Sequence, residues 1–306
     1  MLKSNCKICG DFRIKPCFEN DSRVLRCQNC GVAFLSPEII DYKPQDYYSN
    51  APHYGRIAYD KKRLEIIKKI AKKNLKIISK YISSGKTLLD VGAHTGTFVA
   101  EAAKAGFGAQ GIDLNLASVK RAKELGIPIE HLSIENFKSD KLFDIVTIFD
   151  VIEHLADPMA ALKKINDLLS VGGYFIVNTP DVNSYFAKKY GIFWRHIDLE
   201  HFFYFSKKSL SKILENLGFK VVAVKNNVFE LEYEWGIRRI CRYILGKEKR
   251  NGFVPKADFV VRATELNGEN MIVKFTKKLI KHLLIVFITL FGLADNVLII
   301  ARKNQA

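Results

Sequence analysis

The sequence has no hydrophobic run long enough to cross a bilayer. Its apolar stretch at 283–294 is twelve residues, where a span needs about 20. The opening MLKSNCKICG contains no apolar segment of the export type, so a cytoplasmic location is expected. Cysteine is almost confined to the first 30 residues, with only Cys241 beyond them; in a chain with no export signal, paired cysteines of this kind read as metal ligands or a redox pair rather than structural disulfides. Acid is in short supply: 48 Lys and Arg face 32 Asp and Glu, for a formal charge of +16. No internal repeat or low-complexity tract is present, and 48% hydrophobic content belongs to an ordinary globular chain.

The cationic excess is uneven. Residues 1–54 carry net +1, 55–86 carry +9, 87–235 carry −3 and 236–306 carry +9. The near-neutral amino-terminal segment argues against nucleic acid as its partner. Between Arg56 and Ser83, Leu64, Ile67, Ile70, Ala71, Ile77, Ile78 and Tyr81 recur at spacings of three and four. That period predicts an amphipathic helix whose lysines form a solvated face.

What is there begins with two matching knuckles, Cys6-x2-Cys9-Gly10 and Cys27-x2-Cys30-Gly31. Four thiolates at this spacing can close a tetrahedron round Zn²⁺, and the glycines permit the tight turns that aim amides at sulfur. Such a closed site leaves no position for substrate, so a structural zinc is expected. Cys17 falls between the knuckles.

From residue 85 onward strand and helix patterns alternate. Strands are predicted at Thr87–Val91, Ala109–Ile112, Ile129–Leu132, Phe143–Phe149, Tyr174–Asn178, Phe219–Val224 and Asn296–Ala301. Helices fall at Thr97–Ala105, Ser118–Leu125, from Pro158 to about Leu169, and near Ser209–Leu217. Alternation of this kind predicts an α/β fold: a Rossmann-like, mostly parallel sheet with helices on both faces. The domain reading is 1–36 ribbon, 37–84 linker and basic helix, 85–226 core, and 227–306 helical insertion with the final strand.

The segment LLDVGAHTGTFVAEAAKAGF ends a strand at Asp90 and opens a helix, with Gly92 and Gly96 between. Glycine there lets a ligand approach the backbone. About twenty residues on, the second strand ends at Asp113, where a carboxylate can accept both hydroxyls of a ribose. A nucleoside-containing ligand is expected. The glycine spacing differs from the GxGxxG turn of nicotinamide-dependent dehydrogenases.

This loop, Asp113 and the string FDIVTIFDVIEHLADPMAALKKINDLLSVGGYFIVNTPD together resemble class I S-adenosylmethionine-dependent methyltransferases. The resemblance covers about 85–225 plus the terminal DNVLIIARK. It implies a seven-stranded sheet with its last strand antiparallel. It further implies that Asp90, Gly92 and Gly96 cradle the methionine end of S-adenosylmethionine and that Asp113 holds the ribose. Ser133, Ile134 and Glu135 would flank adenine, and Phe149 and Asp150 would lie beside the methionine portion. The chain departs from the family at His94, where a third glycine is usual, and at Ser133, where an Asp is common.

Methyl transfer is an in-line displacement that needs a base only when the acceptor must lose a proton. His201 and His154, with His196 behind them, are the candidates, and Tyr185, Phe193 and Trp194 are candidate pocket or core aromatics. The acceptor implied is a small molecule, with a sugar or lipid-linked glycan favoured, since similar ribbons precede sugar-modifying methyltransferases. An RNA methyltransferase and a non-enzymatic zinc-binding scaffold are the rivals. Lys274, Lys277, Lys278 and Lys281 before the 283–294 run suggest peripheral membrane contact through 271–294, against a buried helix as the alternative.

Overall fold

The computed structural model describes residues 5–19, 21–40, 59–83, 86–227 and 294–305, with Lys62 described by its backbone alone. Met1–Asn227 and Asp295–Ala306 form one compact unit, and Val228–Ala294 form another. The 271–294 segment and Cys241 lie outside the described residues apart from Ala294. Among the described residues no helix is long and apolar enough to cross a membrane.

The larger sheet has seven strands: β4 (Thr87–Val91), β5 (Gly108–Asp113), β6 (Ile129–His131), β7 (Phe143–Phe149), β8 (Leu169–Pro180), β10 (Phe219–Asn227) and β11 (Asn296–Lys303). Their order is β10-β11-β8-β7-β4-β5-β6. The pairs β4–β5, β4–β7, β5–β6 and β7–β8 are parallel. The last strand, β11, runs antiparallel to both β8 and β10. This is the class I methyltransferase topology expected from the sequence.

Period-two alternation explains the layers. Leu89, Val146, Val177 and Ile299 face a core completed by α4 (Pro158–Leu168) and α6 (Lys207–Asn216), through Leu162, Ile165, Leu210 and Leu214. Their neighbours Leu88, Ile145, Ile176 and Leu298 face the opposite core, which takes Ala71, Leu75 and Ile78 of α1 (Lys61–Ile78) and Phe98 of α2 (Thr97–Lys104). Because both faces are covered, β7 reads as the near-continuous apolar run FDIVTIF. Helix α1 buries that one stripe and leaves Lys69, Lys72, Lys73 and Lys76 exposed, so this stretch of the basic segment is a solvated face. Lys72 and Lys104 meet the buried Glu101 of α2 at 3.7 and 2.9 Å.

Helix starts follow capping chemistry. Asp157 accepts from Ala160 N with Pro158 in the first turn, and Ser206 forms a capping box with Ser209. Asn115 accepts from Ser118 N to open α3 (Leu116–Glu124), and Ser184 accepts from Ala187 N to open α5 (Tyr185–Tyr190).

The second sheet joins β1 (Ile14–Phe18), β2 (Asp21–Cys27), β3 (Ala33–Leu35) and β9 (Phe203–Tyr204) in that order. Its fourth strand was not foreseen from the sequence. It is two residues long and comes from the α/β part of the chain, with Ala33 opposite Tyr204 and Phe34 opposite Phe203. The ribbon is thereby fastened to the segment that follows His201.

Asp295, just before β11, gathers this side of the molecule. Its Oδ1 accepts from Ser184 Oγ at 2.9 Å and Trp194 Nε1 at 3.1 Å, and its Oδ2 from Arg195 Nε at 3.3 Å. Trp194 is core at 2% exposure, whereas Tyr185 and Phe193 are exposed. Asp295→Ala removes the acceptor of the buried Trp194 indole N–H and of Ser184 Oγ, and one partner of the partly buried Arg195, and is expected to cost about 3 kcal/mol. Urea denaturation measures it, and a change below about 0.5 kcal/mol, the range of ordinary surface substitutions, would show that the clamp is idle.

Candidate functional site

The parallel strands β5, β4 and β7 end at one edge of the sheet. There the chain turns three times around a cleft of about 230 Å³. Gly92 stands in the first turn with φ +75°, and a Cβ on it would meet Val151 Cγ2 at 2.3 Å. Any side chain there would collide with the wall that follows β7. The loop then passes His94, also left-handed at φ 50°, and reaches α2 with Gly96 as its N-cap.

Asp113 ends β5 and lines the cleft. Its Oδ2 accepts from His94 N at 2.7 Å and its Oδ1 from Asn115 N at 2.7 Å. The carboxylate is thus fixed between two turns while each oxygen keeps a further lone pair. Burial raises its pKa, and the two amide bonds oppose that rise. Ser133 and Ile134, beyond β6, form the far wall, and Phe149 and Asp150, at the end of β7, form the near one.

Two of the sequence candidates stand behind the cleft. Asp90 is buried and accepts Thr147 Oγ1–H at 2.6 Å across the β4–β7 pair. Gly96 faces Ile127 and Ile129, where a Cβ would come within 2.6 Å. Their places are those of supports, with Asp90 beneath the turn and Gly96 at its exit.

Burial pushes Asp90 up to about 7, with the neighbouring Asp113 adding to the rise and the Thr147 bond opposing it. Burial, helped by the charge of Arg63, pushes His94 down to about 4, so its ring is neutral at physiological pH. The lining thus carries carboxylates and no imidazolium at His94, inside a chain of net +16.

His154 lines the cleft. His201 lies behind it, 4% exposed, with its ring edge-on to His154 at 4.5 Å between centroids. Nδ1 of His154 lies 2.8 Å from the Glu200 carbonyl, and Nδ1 of His201 lies 2.7 Å from that of His196. A carbonyl only accepts, so both Nδ1 atoms carry hydrogen, and in the neutral form of each ring the lone pair belongs to Nε2. Glu153 is buried, accepts from Thr179 Oγ1 at 3.0 Å, and offers its carbonyl to Phe202 N. His196 stacks on His201 with centroids 5.9 Å apart. The four-sulfur cluster lies in the ribbon: Cys6 to Cys30 and Cys9 to Cys27 are each 3.6 Å between sulfurs.

Sequence reasoning missed several residues around this edge. Thr147 is the fully buried polar residue inside FDIVTIF, and Asn178 and Asn296 are amides near strand ends. A polar group in a run buried on both faces was the available signal.

Residues 59–224 match the model of a methyltransferase domain, which is more than half of the chain. The chain belongs to the methyltransferase-domain family. It is 26% identical over 175 residues to a ubiquinone biosynthesis O-methyltransferase of Rickettsia canadensis, covering 52% of this chain and 74% of the relative. A protein of the same name from Chromobacterium violaceum is 31% identical over 109 residues, covering 33% of this chain and 47% of the relative. The chain thus spans about half the length of several curated relatives it matches. Among solved structures, phosphoethanolamine N-methyltransferase 2 of Haemonchus contortus with bound S-adenosyl-L-methionine superposes with TM-score 0.53 at 17% identity, covering 89% of this chain and 62% of that one. A SAM-dependent methyltransferase of Archaeoglobus fulgidus gives TM-score 0.50 at 19% identity, covering 77% of this chain and 94% of that one. These structural likenesses establish the fold.

Within this methyltransferase domain Asp90 governs an observable. Its folded pKa of about 7 exceeds the ordinary 3.8, so the folded state holds the proton more tightly than the unfolded one. Its contribution to stability is complete below about pH 4 and is lost as pH rises through about 7. Asp90→Asn keeps an acceptor for Thr147 and removes the titration. The ligand-free variant is expected to gain stability relative to the parent as pH rises from 4 to 8, by a few kcal/mol. Parallel melting curves against pH would refute the assignment.

Proposed function

We propose that this chain transfers the methyl group of S-adenosylmethionine to a small-molecule acceptor. The observation that carries the reading is that Gly92 and Asp113, at the ends of neighbouring parallel strands, open onto one cleft with Asp150. An adenosyl ligand would place its ribose on Asp113, its adenine by Ser133 and Ile134, and its methionine end over Gly92 beside Asp150. S-adenosylmethionine supplies a sulfonium-activated methyl group, and the protein aligns the acceptor for in-line attack.

For a hydroxyl acceptor, as the names of the O-methyltransferase relatives suggest, His154 is the proposed base. Its Nε2 holds the lone pair and it lines the cleft, whereas His201 orients and shields it from behind. The ribbon supports the acceptor side: Leu35 N bonds the Phe202 carbonyl, and Phe202 N bonds the Glu153 carbonyl, at 3.0 and 2.8 Å. This fastening favours a structural ribbon over a separate nucleic-acid module.

Zinc is the proposed occupant of the cluster. Metal–sulfur bonds of about 2.3 Å set tetrahedral sulfur–sulfur edges of about 3.8 Å, close to the spacing seen. Backbone amides of Ile8 and Cys9 point at the Cys6 sulfur, and those of Asn29 and Cys30 at Cys27. The purified chain is expected to carry about one zinc ion by elemental analysis. Cys27→Ala should lose it together with the ribbon's protection against proteolysis; a fully loaded Cys27→Ala protein would refute the site.

Calorimetric titration tests the cofactor. S-adenosylhomocysteine should bind and NAD⁺ should not, and the opposite preference would overturn the reading. Asp113→Ala should weaken S-adenosylhomocysteine by about 2 kcal/mol through loss of charge-assisted ribose bonds; an unchanged affinity would show that the ribose lies elsewhere.

A further inference from the structure

A chain of buried amides runs from the surface of α1 to Asp150. Lys73 Nζ donates to Asn227 Oδ1 at 2.9 Å. Asn227 Nδ2 donates to Asn178 Oδ1 at 2.8 Å and faces Asn74 Oδ1 at 3.4 Å. Asn178 Nδ2 then donates to Asp150 Oδ1 at 2.7 Å. A second amide, Asn296 Nδ2, donates to the same oxygen at 3.0 Å.

The ends fix the direction. An ammonium only donates, so Asn227 must turn its oxygen to Lys73 and its NH₂ inward. Asn178 must follow, and its NH₂ reaches a carboxylate, which only accepts. The far end needs holding: Asp150 has φ 54°, a left-handed conformation unfavourable to a residue with a side chain. Asp150 N donates to the Asn178 carbonyl at 2.9 Å, so one residue grips both its backbone and its side chain.

One atom in this arrangement points to a ligand. Asn296 is 2% exposed, and its Oδ1 is a buried acceptor with no hydrogen-bond donor among the described residues. Leaving such an acceptor unmet is costly. A cationic N–H group that reached Asp150 from the cleft would supply donors to both.

Resting on the S-adenosylmethionine reading above, we propose that Asp150 and Asn296 receive the α-ammonium of the methionine moiety. Asn178, Asn227 and Lys73 are the positioning residues that hold Asp150 for it. The chain assigns recognition of the amino-acid end to residues outside the glycine loop, on four separate elements: α1, β8, β10 and β11.

The test compares two ligands in the full-length protein by calorimetry: S-adenosylhomocysteine, which carries the ammonium, and 5′-methylthioadenosine, which lacks the amino-acid end. Asn296→Ala should weaken S-adenosylhomocysteine about tenfold, the scale of one hydrogen bond to a charged group, and leave methylthioadenosine within about twofold. Lys73→Met removes the orienting end through a residue of the exposed helix face, and a melting curve checks that the variant is folded. It should give the same selectivity at about threefold, the scale of a weakened link in a polarised chain. Equal losses for both ligands, or no loss for either in both variants, would overturn the proposal. If the parent protein binds methylthioadenosine but not S-adenosylhomocysteine, the ammonium site falls and the adenosyl site stands. Binding of neither ligand by the parent would defeat the cofactor reading and this proposal together.

Discussion

The parallel register of β5, β4 and β7 is the constraint on which the site depends. Parallel neighbours need crossover connections, so each strand must leave the sheet at the same edge and return from the other. Asp90 pairs with Gly111 on one side and with Thr147 on the other. That register brings the turns after Val91, Asp113 and Phe149 together. A one-residue slip would turn Leu89 and Val146 toward the opposite core, so the hydrophobic faces that build the domain also hold the cleft's geometry. Gly92 is the point of closest approach, with Val151 already in the space a side chain would need.

The small sheet joins the same edge through backbone contact. β9 belongs to the methyltransferase domain by sequence and to the ribbon by pairing. The line from Leu35 through Phe202 to Glu153 carries the ribbon's position to the residue beside His154. A metal that rigidified the knuckles would act on the acceptor side by this route while remaining closed to substrate.

The sequence was most informative where periodicity and punctuation were strong. FDIVTIF, the Asp157–Pro158 start and the Gly-rich turn after Asp90 each had a local cause, and the structure has a strand, a helix and a tight turn there. Non-local pairing was less legible. A two-residue strand such as β9 has no period to detect, and its partner lies about 170 residues earlier in the chain. The site divided on the same principle. Gly92, Asp113 and Asp150 stood at the ends of predicted strands and line the cleft. Asp90 and Gly96 have the same residue types in the same loop but point to its supports, and no spacing rule separates a lining residue from the one behind it. The amide network escaped for a related reason: Asn74, Asn178, Asn227 and Asn296 are scattered single residues whose meaning appears only when four elements meet.

The electrostatics of the edge bear on direction as well as affinity. Asp90, Asp113 and Asp150 end or follow three neighbouring strands, and the nearest loop imidazole, His94, is held neutral by burial. Burial raises Asp90, with the charge of Asp113 adding to the rise, and that cost falls when a cation enters. On the proposed reading the entering ligand carries a sulfonium and an ammonium, and methyl transfer removes the first of these charges while leaving the second. The acids nearest the sulfur therefore lose attraction for the ligand as the reaction proceeds, whereas the contact at Asp150 is retained. The product should be held mainly by its ribose and amino-acid ends, and binding strength tied to the reacting charge is spent on the substrate form.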